Sequence, residues 1–143
     1  MLLIGAIALI GCSGDKPNVR QIDELAQLRY PDQIKNVKDV DIVANQTRTQ
    51  VQLVNREPVD FTNVYVWLNR QYVGYIRRIE IGNEGFANHF DLDGFFNLHK
   101  LHYPVGGILS PDKGFPLATV DIYDPATETI YRTVVRRPEN LLR

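Results

Sequence analysis

Residues 61–79, FTNVYVWLNRQYVGYIRRI, decide the fold class, because two runs of β-branched and aromatic residues flank a short polar turn. Residues of these types favour strands, and two such runs separated by a short turn predict an antiparallel hairpin. A two-residue loop at positions 69–70 is expected to bring Tyr72 beside Trp67 across the hairpin.

The same pattern continues from Val37 towards the C-terminus, where short apolar runs alternate with turn residues. No helix of crossover length separates these runs, which argues against a parallel sheet. We therefore predict an all-β domain, an antiparallel sandwich of seven strands, which at fold level resembles fibronectin type III and immunoglobulin-like sandwiches. The predicted strands are Lys38–Ala44, Thr49–Asn55, Thr62–Asn69, Gln71–Ile79, Phe86–Phe90, Phe115–Tyr123 and Thr129–Arg136.

Two connections in this domain have contrasting sequences. Residues 124–127, DPAT, predict a tight turn in which the Asp124 side chain holds the backbone and Pro125 presets φ. Residues 91–114 are rich in Gly, His and Pro and predict an irregular connection.

The segment before the domain, residues 12–36, is polar and predicts a tether with one short helix. We expect it to act as a spacer whose helix docks on the domain, with partner binding as the alternative. The signals are a cap at Asn18, a capping box with Gln21, an apolar stripe of Ile22, Leu25 and Ala26, and a stop at Pro31.

Residues 1–11, MLLIGAIALIG, form an uncharged apolar run that suits a signal peptide and is too short to span a membrane. Its end, Leu9-Ile10-Gly11-Cys12, resembles the lipobox of bacterial lipoproteins, although the Lys or Arg that usually begins such signals is absent. The resemblance implies cleavage before Cys12, whose sulfur would carry diacylglycerol. It also implies a protein held on a membrane by its lipid and facing an extracytoplasmic space, with Ser13 favouring the outer membrane in a Gram-negative cell.

The chain is accordingly divided into a signal peptide (1–11), a lipidated tether (12–36) and a β-sandwich domain (37–143). A length of 143 residues suits one domain, and the formal charge of −1 gives no field that would attract nucleic acid. The single Cys excludes an intramolecular disulfide and a Cys-based zinc site.

An aromatic surface is the first candidate site. If one face of the hairpin is core, Tyr65, Trp67 and Tyr72 are expected to form a flat plate on the other, suited to stacking on sugar rings. The alternative is that this face is itself core, or that the tether helix or residues 91–114 cover it.

A second candidate lies in the connection between Asp91 and His102, where imidazoles and carboxylates are frequent. A metal-dependent enzyme using this loop is an alternative, but nothing in the spacing fixes a metal geometry, so no metal and no cofactor are expected. The potential ligands are His89, Asp91, Asp93, His99 and His102. A Ser110–His102–Asp112 triad lacks the turn that positions a nucleophilic serine.

Together these features predict a membrane-anchored envelope lipoprotein, not an enzyme, that acts as a binding module for a glycan or an envelope protein. The alternative is a structural or assembly subunit of an envelope complex.

Overall fold

The computed structural model describes residues 18–82, 88–105 and 115–136. These residues form one helix, one short 3-10 turn at Leu92–Gly94, and seven strands. The helix is α1 (Val19–Ala26), and the strands are β1 (Val37–Gln46), β2 (Gln50–Asn55), β3 (Phe61–Leu68), β4 (Tyr72–Ile79), β5 (His89–Asp91), β6 (Val120–Asp124) and β7 (Thr129–Arg136).

The predicted all-β class is confirmed, but the strands form one mixed, curled sheet in place of two packed antiparallel sheets. The strand order is β4-β3-β6-β7-β1-β2-β5, and β1 and β7 run parallel. This pair was not expected because a parallel pair needs a long connection, and here the connection consists of all the intervening strands. The first and last strands therefore lie together in the middle of the sheet.

Curling brings the two edges of the sheet together. In a flat sheet β4 and β2 would lie about 24 Å apart, five strand spacings. Instead the Asn55 N–H of β2 donates to the Gly82 carbonyl at 3.2 Å, and the Gly82 N–H donates back at 2.7 Å. Phe96, which follows β5, makes the same paired bonds with Val73 of β4. The chain after β4 is thus bonded to β2, and the chain after β5 is bonded to β4.

Both faces of the sheet carry buried side chains, one along the whole sheet and the other over part of it. One face forms the main core with side chains from the connections, including Leu92, Phe95, Tyr103 and Leu117. Gly74 belongs to this face, where an added Cβ would lie 2.8 Å from the Phe95 ring. The opposite face is covered over Trp67 by α1 and the residues that follow it.

The predicted helix is confirmed. The Asn18 side chain accepts from the Gln21 N–H at 2.9 Å, and the Gln21 side chain accepts from the Asn18 N–H at 2.9 Å. This capping box satisfies two N–H groups that have no partner within the helix. Leu25 and Ala26 are buried, so the apolar stripe docks on the sheet, and the helix ends at Ala26, before Pro31.

The turn between β6 and β7 is also confirmed: Asp124 Oδ1 accepts from the Ala126 N–H at 3.0 Å, and Oδ2 accepts from the Thr127 hydroxyl at 3.2 Å. The strand predicted at Phe115–Tyr123 begins only at Val120. Of the strand predicted at Phe86–Phe90, residues 86–87 lie outside the described part of the chain, and β5 begins at His89.

Buried and half-buried amide side chains take the place of strand pairing where the connections cross the sheet. Gln46 accepts from the Leu117 N–H at 2.9 Å and donates to the Phe115 carbonyl at 2.7 Å. Asn69 likewise accepts from the N–H groups of Ala118 and Thr119. Residues 115–119 therefore satisfy backbone groups through side chains, which explains why they form no strand.

Asn88 does the same at the closing edge of the sheet. It is 1% exposed, accepts from the Glu80 N–H at 2.9 Å, and donates to the carbonyls of Glu80 and Gly82 at 2.8 and 3.0 Å. Its backbone carbonyl accepts from the Leu53 N–H at 3.0 Å. One residue thus joins the chain after β4 to β2.

We predict that Asn88→Ala lowers the free energy of unfolding by about 2 to 3 kcal/mol, because it leaves buried backbone groups without partners. Urea unfolding measures this loss. Gln33→Ala, at an exposed turn position, is the control and should change the free energy by less than about 0.5 kcal/mol. Equal stabilities for the two variants would contradict the assigned role of Asn88.

Candidate functional site

The three aromatic residues predicted to form a plate do not share one face. The β3–β4 hairpin pairs Leu68 with Tyr72 and Trp67 with Val73. Its loop has three residues, not two, with Asn69 and Arg70 at φ values of 54° and 59°. The register differs by one residue from the expected one, and such a shift moves every side chain of β4 to the other face.

Tyr72 consequently packs against the main core, where its ring lies 5.0 Å from that of Tyr103. Tyr65 and Trp67 remain together on the opposite face. Phe61, which a regular alternation along β3 would place beside Tyr65 and Trp67, is in the main core. The cause is Asn63, whose φ of 53° interrupts the alternation of the strand, so that Phe61 and Val64 point the same way.

Trp67 is covered by the chain's own N-terminal segment. It is 3% exposed and belongs to a cluster with Leu25, Val73 and Phe96. The Tyr30 ring meets the indole edge-on, with 5.7 Å between the ring centroids. A sugar therefore has no free indole face on which to stack, and the structure realises the alternative in which the tether helix covers this face.

A polar cluster borders the covered face where Tyr30 crosses β6. The Tyr30 hydroxyl donates to Asp121 Oδ2 at 2.8 Å, and Arg70 Nε lies 3.8 Å from the same oxygen. The Arg70 guanidinium also stands over the Tyr30 ring, 5.2 Å from its centroid. The Asp121 side chain is only 4% exposed, so these contacts supply polar partners for an acidic group held inside the protein.

Burial raises the pKa of Asp121 above its ordinary value, and the Tyr30 hydrogen bond, Arg70 and Arg132 oppose that shift. Burial, together with the hydrogen bond to Asp121, raises the pKa of Tyr30 to about 12. Tyr30 thus keeps its proton at neutral pH and remains a donor. Tyr30, Asp121 and Arg70, which we call the latch, therefore join the N-terminal segment to the sheet.

The surface beside this latch has a shallow cavity of about 170 Å³, and a second, of about 60 Å³, lies near Trp67. Pockets for small-molecule ligands usually measure about 300–1,000 Å³. Neither cavity reaches that size. The first is lined by Tyr30, Pro31, Asp32, Ile34, Val37, Arg70, Ile130 and Arg132.

The predicted metal-ligand candidates are not brought together. Across the described ranges, no group of three or more His, Cys, Asp or Glu side chains is placed to hold a metal ion. Asp91 Oδ1 accepts from Gln50 Nε2 at 3.0 Å, and His102 Nδ1 lies 2.8 Å from the Tyr103 carbonyl oxygen. His99 is exposed in a tight loop.

Several predicted residues lie outside the described part of the chain. These are Cys12 of the lipobox and the Ser110 and Asp112 considered for a triad. In the ranges 18–82, 88–105 and 115–136, no helix has the length and apolar character needed to cross a membrane. No family model, curated protein or solved structure matches the chain.

Two groups of residues were missed in the sequence, with different signals. Gln46 and Asn55 continue the inward-facing alternation that begins at Ile42 and Val51, so strand periodicity already marked them as buried polar residues. Asp121 lies between the core residues Val120 and Ile122 and reads as outward-facing. Asp121 is buried because Tyr30, which is distant in the sequence, packs over it in the folded chain.

Because Trp67 is the only Trp, its fluorescence reports directly on the covered face. We expect blue-shifted emission and weak acrylamide quenching in the folded chain, since the indole is 3% exposed. Unfolding in urea should shift the emission to the red and make quenching efficient. Red-shifted, readily quenched emission in the folded chain would contradict the covered position.

The raised pKa of Asp121 predicts a pH-dependent effect of Asp121→Asn. A carboxyl whose pKa is raised by folding stabilises the fold below its unfolded pKa, and that contribution is lost as pH rises through the folded value. We therefore expect the free energy of unfolding of Asp121→Asn, relative to the original chain, to increase between about pH 4 and pH 7. Urea unfolding at several pH values measures it, and a constant or falling difference would refute the assignment.

Proposed function

We propose that the chain is a lipid-anchored protein of the bacterial cell envelope whose β-domain is a non-catalytic structural or assembly module that binds another protein. The observation that carries the anchor is the position of its only cysteine, Cys12, directly after an uncharged apolar run of eleven residues. A thioether at this position would hold the domain on a membrane through several acyl chains, each with many buried methylene groups.

The use of polar groups in the domain supports a role without catalysis. Gln46, Asn55 and Asn88, the most deeply buried amides, are bonded to backbone groups of the connections. The buried carboxylate of Asp121 is engaged by Tyr30 and Arg70. The polar side chains that the sheet encloses are thus occupied in holding the fold.

The covered position of Trp67 favours a protein over a glycan as the partner. Sugar recognition by stacking needs an exposed aromatic face. The indole is 3% exposed, and Tyr72 lies on the opposite face of the sheet. Binding of a protein partner, in contrast, does not require an exposed indole face. Ser13, directly after Cys12, favours the outer membrane if the cell has two membranes.

Metabolic labelling tests the anchor. The full chain, expressed in a bacterium fed an alkyne-bearing fatty acid, is expected to incorporate the label and to fractionate with membranes. Cys12→Ala removes the only thiol that can form the thioether and should abolish both. Ser13→Ala, at the adjacent position, is the matched control and should keep the label. Equal labelling of the Cys12→Ala and original chains would refute the anchor.

A further inference from the structure

The loop Asn97–Leu101 is held in one shape by its own hydrogen bonds. Asn97 Oδ1 accepts from the N–H groups of His99 and Leu101 at 2.9 and 3.1 Å. The Asn97 N–H donates to the Leu101 carbonyl at 3.0 Å, and the Lys100 N–H donates to the Asn97 carbonyl at 2.9 Å. Such a loop presents its side chains in a fixed arrangement.

The loop exposes two apolar side chains to solvent. Leu98 is 54% exposed and Leu101 is 62% exposed, although the main core lies only a few residues away at Phe95 and Tyr103. A single exposed leucine is common, but two on one rigid loop form a local apolar surface. Both could be polar at no cost to the core.

An ion pair joins the loop to the middle of α1. Lys100 Nζ is 2.9 Å from Asp23 Oδ1, so the loop that carries Leu98 and Leu101 lies beside this helix. Val19 precedes Asp23 by four residues, so the two share one face of the helix. Val19 is 75% exposed, the highest value among the large exposed apolar residues described. The two elements that this ion pair joins thus carry three exposed aliphatic side chains: Val19, Leu98 and Leu101.

The short distance to the lipid anchor indicates that the lipid bilayer contacts this surface. Five residues lie between Cys12 and Asn18, so six residue-to-residue steps join them. A fully extended chain of that length spans at most about 22 Å. If Cys12 carries lipid, as the proposed function requires, the start of α1 cannot lie farther than this from the membrane. The apolar surface formed by Val19, Leu98 and Leu101 is therefore within reach of the bilayer interface.

We propose that Val19, Leu98 and Leu101 form a membrane-docking surface that rests on the lipid bilayer and orients the β-domain on its short tether. The proposal rests on the anchor at Cys12 and adds to it a defined orientation. Because the tether keeps the surface close to the bilayer, even a weak apolar contact is populated.

The charges around this surface favour apolar contact over attraction to anionic lipid. Lys100 pairs with Asp23, and Arg20 pairs with Glu24 at 3.4 Å. Each of these two cations is thus matched by a carboxylate, so the described residues around the surface carry paired charges and not a basic cluster. Docking should therefore occur on zwitterionic phosphatidylcholine vesicles and depend little on added anionic lipid.

Site-directed fluorescence tests the orientation. In the full lipidated chain the Cys12 sulfur is a thioether, so a cysteine introduced by Leu98→Cys is the only free thiol. It is labelled with the environment-sensitive dye NBD, and the protein is reconstituted into phosphatidylcholine vesicles containing brominated lipid. Val59→Cys is the matched control, because Val59 is also 54% exposed. It precedes β3 and therefore lies at the end of that strand away from Trp67, the residue that α1 covers. Leu101→Cys is a second test position.

We expect bromine to quench the dye at positions 98 and 101 several-fold more than at position 59, with blue-shifted emission at the first two. Equal quenching at all three positions, in protein that floats with the vesicles, would refute the docking surface and leave the anchor standing. Protein that does not float with the vesicles would refute both the anchor and the docking surface.

Discussion

The structure depends on hydrogen bonds between a few buried or half-buried amide side chains and the backbone of the connections. A curled sheet brings its edges and crossing loops into the interior, where every N–H and carbonyl needs a partner. Asn55 and Asn88 meet this need where the chain after β4 reaches β2, and Gln46 and Asn69 meet it along residues 115–119. Apolar side chains of the same size would fill the space but leave these backbone groups unsatisfied. The amides therefore allow one sheet to enclose its own core.

Much of the local structure could be predicted from the sequence because its causes are local. The capping box of Asn18 and Gln21 involves residues three apart, and the Asp124 turn involves neighbours. All seven strands lie within or next to the predicted stretches, since β-branched and aromatic runs mark them. The arrangement of the strands could not be predicted, because the parallel contact of β1 with β7 links residues about 90 positions apart and leaves no periodic signal.

At the candidate site, an error of one residue in the predicted loop length changes the face of the sheet on which a side chain lies. The β3–β4 loop has three residues where two were expected, a difference that the types of its residues do not reveal. That difference of one residue moves Tyr72 from the side of Trp67 to the main core. The covering of Trp67 by Leu25 and Tyr30 follows from a helix that the sequence does predict. The place where this helix docks on the sheet could be found only from the tertiary structure.

The parallel pairing of β1 and β7 also shapes how the chain acquires its fold. Among the described strands these are the first and last to be synthesised, and they occupy the centre of the sheet, between β6 and β2. Until β7 is available, the group β1-β2-β5 has no strand that joins it to the group β4-β3-β6. Sheets dominated by such distant pairings fold slowly, typically in about milliseconds to seconds. The centre of the sheet is therefore completed only after β7 has been synthesised, so the pairing that joins its two halves is made late.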